Sequence, residues 1–387
     1  MPSSLAERQL ILISAGTAAR RQKMRERAKR LTGAVDWTQL SEALRLRRLL
    51  PILGPRIIEL ADGRVSDDFG AAVEHGLTVG RRRGVFQRIV SLQVMAAFAD
   101  VGIRAAALKG PLLSEAIYGD PGRRRSGDID LLVAVEQLHA AAKVVCGMGY
   151  APPTDYVEDT GLPLLHFRLV HEQGRLPPVE LHWRVHWYER SFARDRLLPN
   201  AVDRSGSWRP DPADDLAALL LFYARDGFVD LRLASDLSAW WDAFGANLKP
   251  GALDELLQAY PALARAISAA AKVAERIIGL PATQIIKRLS ELDLRERMAV
   301  RLANPNPHAS QSQLYADMGL IDGLLMPRGD FRAFMRRQVI LPAEVLDELD
   351  RRAPKRRARS PLGRGAGILG RYGLTMTRLA RVPETLR

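Results

Sequence analysis

Asp128 and Asp130 stand one residue apart in the run Asp128-Ile129-Asp130-Leu131-Leu132-Val133, and that pair is the first chemistry the chain offers. Side chains alternate along a strand, so the two carboxylates share a face, with Cα atoms roughly 6.5 Å apart, while Ile129 and Leu131 turn to a core. Like charges facing one way repel each other unless a cation lies between them. A hard divalent ion suits the pair, because Mg²⁺ takes a few carboxylates, keeps water and accepts substrate phosphate oxygens. An Asp-x-Asp pair alone is a weak signal, since most such pairs are solvated or cap a neighbouring element. Its place at the head of an apolar strand, just downstream of a helix start, favours the metal reading.

Glu180 is the candidate third ligand. In Val179-Glu180-Leu181-His182-Trp183-Arg184-Val185-His186-Trp187 the apolar residues alternate with Glu180, His182, Arg184 and His186, giving one core face and one polar face. An exposed strand glutamate is the plainer reading of Glu180. This strand is predicted to pair antiparallel with Leu164–Val170 through Glu172-Gln173-Gly174-Arg175 and a Pro-Pro. Four of the seven histidines, His166, His171, His182 and His186, fall in the hairpin and raise a zinc alternative. It is set aside because no thiolate is near and the carboxylates already suit a harder metal. His182 reads as a hydrogen-bonding group toward substrate or Glu180, and His186 as exposed.

The elements that must position these acids begin upstream. Ile103–Leu108 reads as a short buried strand that stops at Lys109-Gly110, where glycine permits a tight turn and Pro111 suits a first helical turn. The helix runs to about Tyr118, burying Leu112, Leu113, Ala116 and Ile117. Its N-terminus points free N–H groups back toward Lys109, a setting that favours phosphate. Lys109 and Gly110 are therefore candidates to hold an anionic phosphate. Gly119-Asp120-Pro121-Gly122 ends the helix as a turn, and Arg123, Arg124 and Arg125 follow. Arg124, with Arg125, is a candidate for neutralising phosphate charge; a solvated basic loop is the plainer alternative.

The order of strand, small turn, helix, loop and acidic strand resembles the polymerase-beta type nucleotidyltransferase superfamily. More narrowly, L-K-G-x-x-L-x-x-x-I-Y-x-D-P-x-x-R-x-x-x-D-I-D-L-L-V, followed by Glu180-Leu181-His182-Trp183 and the Arg232–Asp236 region, resembles a group of largely uncharacterised bacterial nucleotidyltransferases over about residues 35 to 245. The resemblance implies an α+β fold: a small mixed or antiparallel sheet packed with helices, flanked by N-terminal helices and a C-terminal helical domain. It implies Mg-dependent transfer of a nucleoside monophosphate from a nucleoside triphosphate, ATP foremost, with release of pyrophosphate. The acceptor would be a hydroxyl or phosphate of a small molecule, sugar or peptide, since similar proteins tend to be encoded near peptide-modification or surface-polysaccharide functions. Two Mg²⁺ ions, replaceable by Mn²⁺, would sit on Asp128, Asp130 and Glu180. Where the superfamily has a Gly-Ser or Gly-Gly turn this chain has Lys109-Gly110-Pro111. The departure supports a rival reading, a catalytically silent nucleotide-binding or regulatory partner protein of a biosynthetic cluster.

At 387 residues the chain can bury a substantial core, and its length suggests two or three structural units. The predicted division is a basic helical arm over 1–33, an N-terminal helical region over 34–100, the core over 101–203, a C-terminal helical domain over 204–352 and a basic flexible tail over 353–387. Lys and Arg number 57 against 44 Asp and Glu, a net charge of +13, which suits phosphorylated substrates, polyanions or anionic membrane. No aromatic-interleaved basic surface is visible, so no specific nucleic acid is expected; the basic termini are candidates for peripheral membrane or protein contact. Cys146 is the only cysteine, which rules out an intrachain disulfide and fits a cytoplasmic setting. No run is long enough to cross a bilayer, and Leu10–Ala18 makes no signal peptide.

Helical patterns fill the rest. Asp36–Ala61 is predicted helical with a break at Pro51, and Val65–Val101 with Val85, Ile89, Leu92, Met95, Ala96 and Ala99 as its buried face. Glu136–Met148 follows the acidic strand, and Ala151–Pro163 is a loop expected near the site's mouth. From Asp203 the pattern is helical, with Asp211 as cap, Pro212 at the first position and Leu216, Leu219, Leu220 and Tyr223 inward. Arg232 and Asp236, four apart on the next helix, are expected to pair.

Overall fold

The sheet that carries the acids is built from four short strands, β1 (Ala105–Ala107), β2 (Ile129–Val133), β3 (His166–Leu169) and β4 (Val179–His182). They lie in the order β1-β2-β4-β3; β2 runs antiparallel to β1 and parallel to β4, and β3 is antiparallel to β4. This computed structural model describes residues 5–153, 165–204, 207–287, 289, 292–303, 311–330, 332 and 334. The predicted tail and all but the first three residues of the predicted Ala151–Pro163 loop lie outside them. All five residues of β2 are buried, because both faces of the strand are covered. On one face Ile129, Leu131, Val179 and Leu181 meet Val90, Val94 and Phe98 of the Asp67–Asp100 helix and Leu138, Ala141 and Val145 of the Leu138–Gly147 helix. The other face, with Leu132 and Ala106, joins the larger helical core. The architecture is the mixed α+β one expected.

Segment 65–101 is one helix, Asp67–Asp100, started by Ser66, whose side chain accepts the Phe69 N–H. Its buried stripe corrects the predicted face in part: Met95 is buried as expected, but Val85 and Ile89 are 42% and 47% exposed, while Gly80, Gly84, Gln87 and Ser91 are buried with Val90, Val94 and Phe98. The small residues are there for clearance. A Cβ at Gly84 would overlap Gly122 Cα and Pro121 O, and one at Gly122 would overlap the Arg81 backbone. The turn leading into the arginine loop thus rests directly on the long helix, and Arg81 clasps Asp120 at 2.8 Å.

Pro51 opens the Leu50–Leu60 helix rather than breaking one; the interruption falls at Arg47 and Arg48, where Arg48 has φ +59°. Residues 5–33 do not form a separate arm. Leu10, Ile11 and Ile13 belong to the same buried cluster as Leu216, Leu220 and Trp240. The Thr17 N–H bonds Ile278 O at 2.8 Å, Asp242 accepts the Ala18 N–H at 2.9 Å, and Arg25 and Lys29 meet Asp62 at 2.7 and 2.6 Å. One core therefore crosses the predicted boundaries at 33 and 203. The Pro212–Arg225 helix sits within it, capped by Asp211 as expected and buried on every side from Asp214 to Ala224. The segment after Asp203 also holds an unexpected hairpin, β5 (Val202–Arg204) with β6 (Ser207–Arg209).

Glu189 joins the end of the sheet to these helices. Its carboxylate accepts the Val185 N–H at 2.8 Å and the Ala193 N–H at 2.6 Å. Burial pushes its pKa up to about 7, against those two bonds and the nearby Arg184. A folded pKa above the unfolded one means a contribution that is full below the unfolded value and lost as pH rises through about 7. Denaturation curves between about pH 4 and about pH 8 should show a decline in stability that Glu189→Gln flattens. Identical slopes in parent and variant would contradict the assignment.

Candidate active site

Parallel pairing of β2 with β4 sets Asp130 beside Glu180 and Leu132 beside His182, and antiparallel β3 puts His166 across from His182. Residues two apart share a face, so Asp130, Glu180, His182 and His166 form one polar patch. It looks toward the Pro212–Arg225 helix, whose Phe222 ring lies edge-on to His182 at 6.4 Å between centroids. Asp128 stands one residue before β2, where Ser126 Oγ donates to its Oδ1 at 3.1 Å. The structure thus brings Asp128, Asp130, Glu180 and His182 together.

Their electrostatics differ. Burial raises the pKa of Asp128, and the charges of Asp130 and Glu180 add to the effect against Lys109 and Ser126. Burial would also raise Asp130, yet the Lys109 ammonium, the His182 imidazole and Arg124 outweigh it and hold that carboxyl well below the usual range. Lys109 Nζ is 3.1 Å and His182 Nε2 is 3.0 Å from Asp130 Oδ1. Glu180 is lowered more mildly: burial opposes ionisation, while the His182 and His166 rings favour it. Burial and the facing His182 ring push His166 down to about 4.

Lys109 and Gly110 occupy the predicted turn. Gly110 has φ +75°, a left-handed conformation that a side chain strains, and it begins the Gly110–Tyr118 helix. The Lys109 side chain turns inward, however, with Nζ on Asp130 and 4.4 Å from the Phe222 ring centroid. In this arrangement it neutralises an acid rather than standing free at the helix start.

Arg124 corrects the reading of the basic loop. Its side chain is 4% exposed and its Nε lies 2.6 Å from Asp236 Oδ2, so its charge is already answered and it is closed to a phosphate. Tyr118 Oη donates to the other Asp236 oxygen at 3.0 Å, and the Arg124 N–H donates to Ser114 Oγ at 2.9 Å. The predicted Arg232–Asp236 bridge does not form. Asp236 turns toward the Gly110–Tyr118 helix, while Arg232 pairs with Asp230 at 3.2 Å and donates to Arg125 O at 3.3 Å. Arg125 is the half-buried guanidinium of the loop, with Arg83 and Arg48 near enough that their charges, after burial, lower its pKa. Arg48 Nη1 would lie 3.5 Å from a Cβ on Gly127, the residue before Asp128.

Three contributors escaped the sequence. Arg48, in the turn between two helices, and Arg83, on the Asp67–Asp100 helix, carry no chemical motif. Arg225, at the end of the Pro212–Arg225 helix, lies over Phe222 with its guanidinium carbon 4.9 Å from the ring centroid. Only its position one turn after an inward face could have singled it out. The second strand is also shorter than predicted: Trp183 and Arg184 N–H groups both turn to Leu165 O, at 3.1 and 3.3 Å, which ends the alternation at His182. His186 is therefore 1% exposed instead of open, with Nδ1 accepting the Tyr188 N–H. His171 lies apart, against Tyr150.

Asp128, Asp130 and Glu180 share the patch with one directly bound ammonium, because Arg124 is spent on Asp236. Buried carboxylates in excess of cations, one of them raised by its neighbours, are the donor chemistry that a hard divalent ion relieves. These residues fit Mg²⁺ or Mn²⁺. A cationic fringe of Arg125, Arg48 and Arg83 and a glycine-started helix beside three acids can align a polyphosphate for attack. A family model described as an uncharacterised nucleotidyltransferase matches residues 33–279, a span that contains all of these groups. Among curated proteins, none matches the chain.

Proposed function

The chain belongs to the uncharacterised nucleotidyltransferase family, and on that premise we propose that it moves a nucleoside monophosphate from a nucleoside triphosphate, ATP foremost, to a hydroxyl or phosphate on a small molecule, sugar or peptide in the cytoplasm. The observation that carries the reading is the β2–β4 register, which sets Asp130 beside Glu180 with Asp128 adjoining. Asp128, Asp130 and Glu180 would hold Mg²⁺, which supplies charge neutralisation at phosphate oxygens when bound. Lys109 keeps Asp130 ionised. The N–H groups at the start of the Gly110–Tyr118 helix and the Arg125 fringe hold the β and γ phosphates and exclude other orientations. An acceptor oxygen attacks the α-phosphorus in line, its bond to phosphorus forms as the bond to the β-phosphate bridge breaks, and pyrophosphate departs. Glu180, less buried than Asp130, would take the proton that the acceptor loses.

One observation favours a second reading, nucleotide holding without transfer: Lys109 already compensates Asp130 from within the chain. Incubation with each nucleoside triphosphate, a divalent ion and candidate acceptors separates the two. Transfer yields an acceptor heavier by one nucleoside monophosphate and an equivalent of pyrophosphate. Saturable nucleotide binding with neither product supports the silent reading.

A further inference from the structure

His166 and His182, which the transfer reading leaves unused, form a constellation with Glu180, which it does use. His166 and His182 are register partners across β3 and β4, with ring centroids 4.5 Å apart, and Glu180 lies on the same face of β4. Both Nε2 atoms approach the same oxygen, Glu180 Oε2, at 3.5 Å each. One ligand atom from each residue falls within 4.8 Å of the others. A separation of 3.5 Å is too long for a good N–H···O hydrogen bond, whose usual limit is about 3.2 Å. It is close to the span of about 3.4 Å between two ligand atoms on a tetrahedral ion bound at about 2.1 Å. Among the described residues, the Nδ1 atoms of both rings are buried without a polar partner.

We propose that His166, Glu180 and His182 bind a borderline first-row transition-metal ion of the zinc class, at a site next to the oxygen-only position of Asp128 and Asp130. Two imidazoles and one carboxylate are a donor set for such an ion, whereas Mg²⁺ prefers oxygen throughout. The fourth position faces the open side of His166, whose side chain is 35% exposed. Ligation requires His182 Nε2 to give up its hydrogen bond with Asp130, leaving Lys109 as that acid's remaining close partner. The inference touches the transfer reading in sharing Glu180 and in drawing His182 away from Asp130.

The test uses the full chain, stripped with chelator and titrated with Zn²⁺ in the absence of nucleotide. Calorimetry and elemental analysis should find about one ion retained per chain. His166→Ala should weaken that affinity at least about tenfold, and Asp128→Asn should weaken it by much less. Co²⁺ loading of the unaltered protein should give the visible absorption of a four- or five-coordinate nitrogen-bearing site, an arm that stands even if His166→Ala fails to fold. Absence of Zn²⁺ binding, full affinity in a folded His166→Ala, equal loss in Asp128→Asn, or a six-coordinate oxygen-type Co²⁺ spectrum would each overturn the proposal. Because no nucleotide enters these measurements, a protein that binds Zn²⁺ here but transfers nothing refutes the transfer reading alone, and the converse result refutes this site alone.

Discussion

Asp128→Asn lowers nucleotidyl transfer by about 10²- to 10³-fold, the usual cost of removing one group that opposes or organises charge at a reacting phosphate. In chelator, the same variant is as stable as the parent near neutral pH, or more so. Its carboxyl is raised by burial and by the charges of Asp130 and Glu180, so ionised Asp128 opposes folding. The sign follows from linkage: below the ordinary aspartate value both chains carry a neutral group, and the parent falls behind as pH rises through its raised folded pKa. The amide oxygen can still accept the Ser126 hydroxyl, so the local geometry survives. Initial rates of pyrophosphate release, set beside urea denaturation at acid and neutral pH, read both halves. Unchanged transfer would remove Asp128 from the machinery, and marked destabilisation in chelator would make it a structural anchor.

Loss of the Arg124–Asp236 pair has the largest expected effect on stability. Arg124→Ala or Asp236→Ala costs about 3–5 kcal/mol, because each leaves an uncompensated charge in the interior. The side chains are 4% and 0% exposed, so water cannot replace the missing partner. Asp236→Ala also strands the Tyr118 hydroxyl. Replacing both together, Arg124→Met with Asp236→Leu, should recover much of the loss, since apolar residues of similar volume often match a buried pair. Denaturation midpoints of the two single variants and the double variant decide it. A double variant as damaged as the sum of the singles would mean that packing, not unpaired charge, sets the cost.

The pair also bears on the site. Arg124 fastens the loop that leads into Asp128 to the Leu231–Phe244 helix, and its charge helps to hold Asp130 ionised. An arginine that looks in sequence like a phosphate clamp works from beneath the floor of the patch. Arg125, one residue on, is left to face outward.

Local order was legible in the sequence. Alternation set Asp130 on the polar face of its strand, Gly110 and Pro111 marked a helix start, Asp211 and Pro212 another, and the β3–β4 pairing followed from two short runs around a turn. Each of these depends on neighbours a few residues apart, where backbone geometry leaves few choices. The buried stripe of the Asp67–Asp100 helix was legible only in part, because the rule that apolar residues turn inward fails where a loop presses so close that only Gly80, Gly84 and Gly122 fit. The early end of β4 escaped for a similar reason: alternation continued in residue type after the backbone had turned toward Leu165.

By itself, then, the sequence determined which residue types stand in reach of one another along a strand or turn, and hence that a carboxylate pair follows a glycine-started helix. Only the tertiary structure decided partners: Asp236 for Arg124, Asp130 for Lys109, Phe222 beneath Lys109 and Arg225, and the N-terminal helices docked on the core. The physical reason is that apolar periodicity reports that a face is covered but not what covers it. Which charge meets which is settled when helices and strands distant in the chain pack, and each buried ion must then find its counter-ion or carry an unpaired charge.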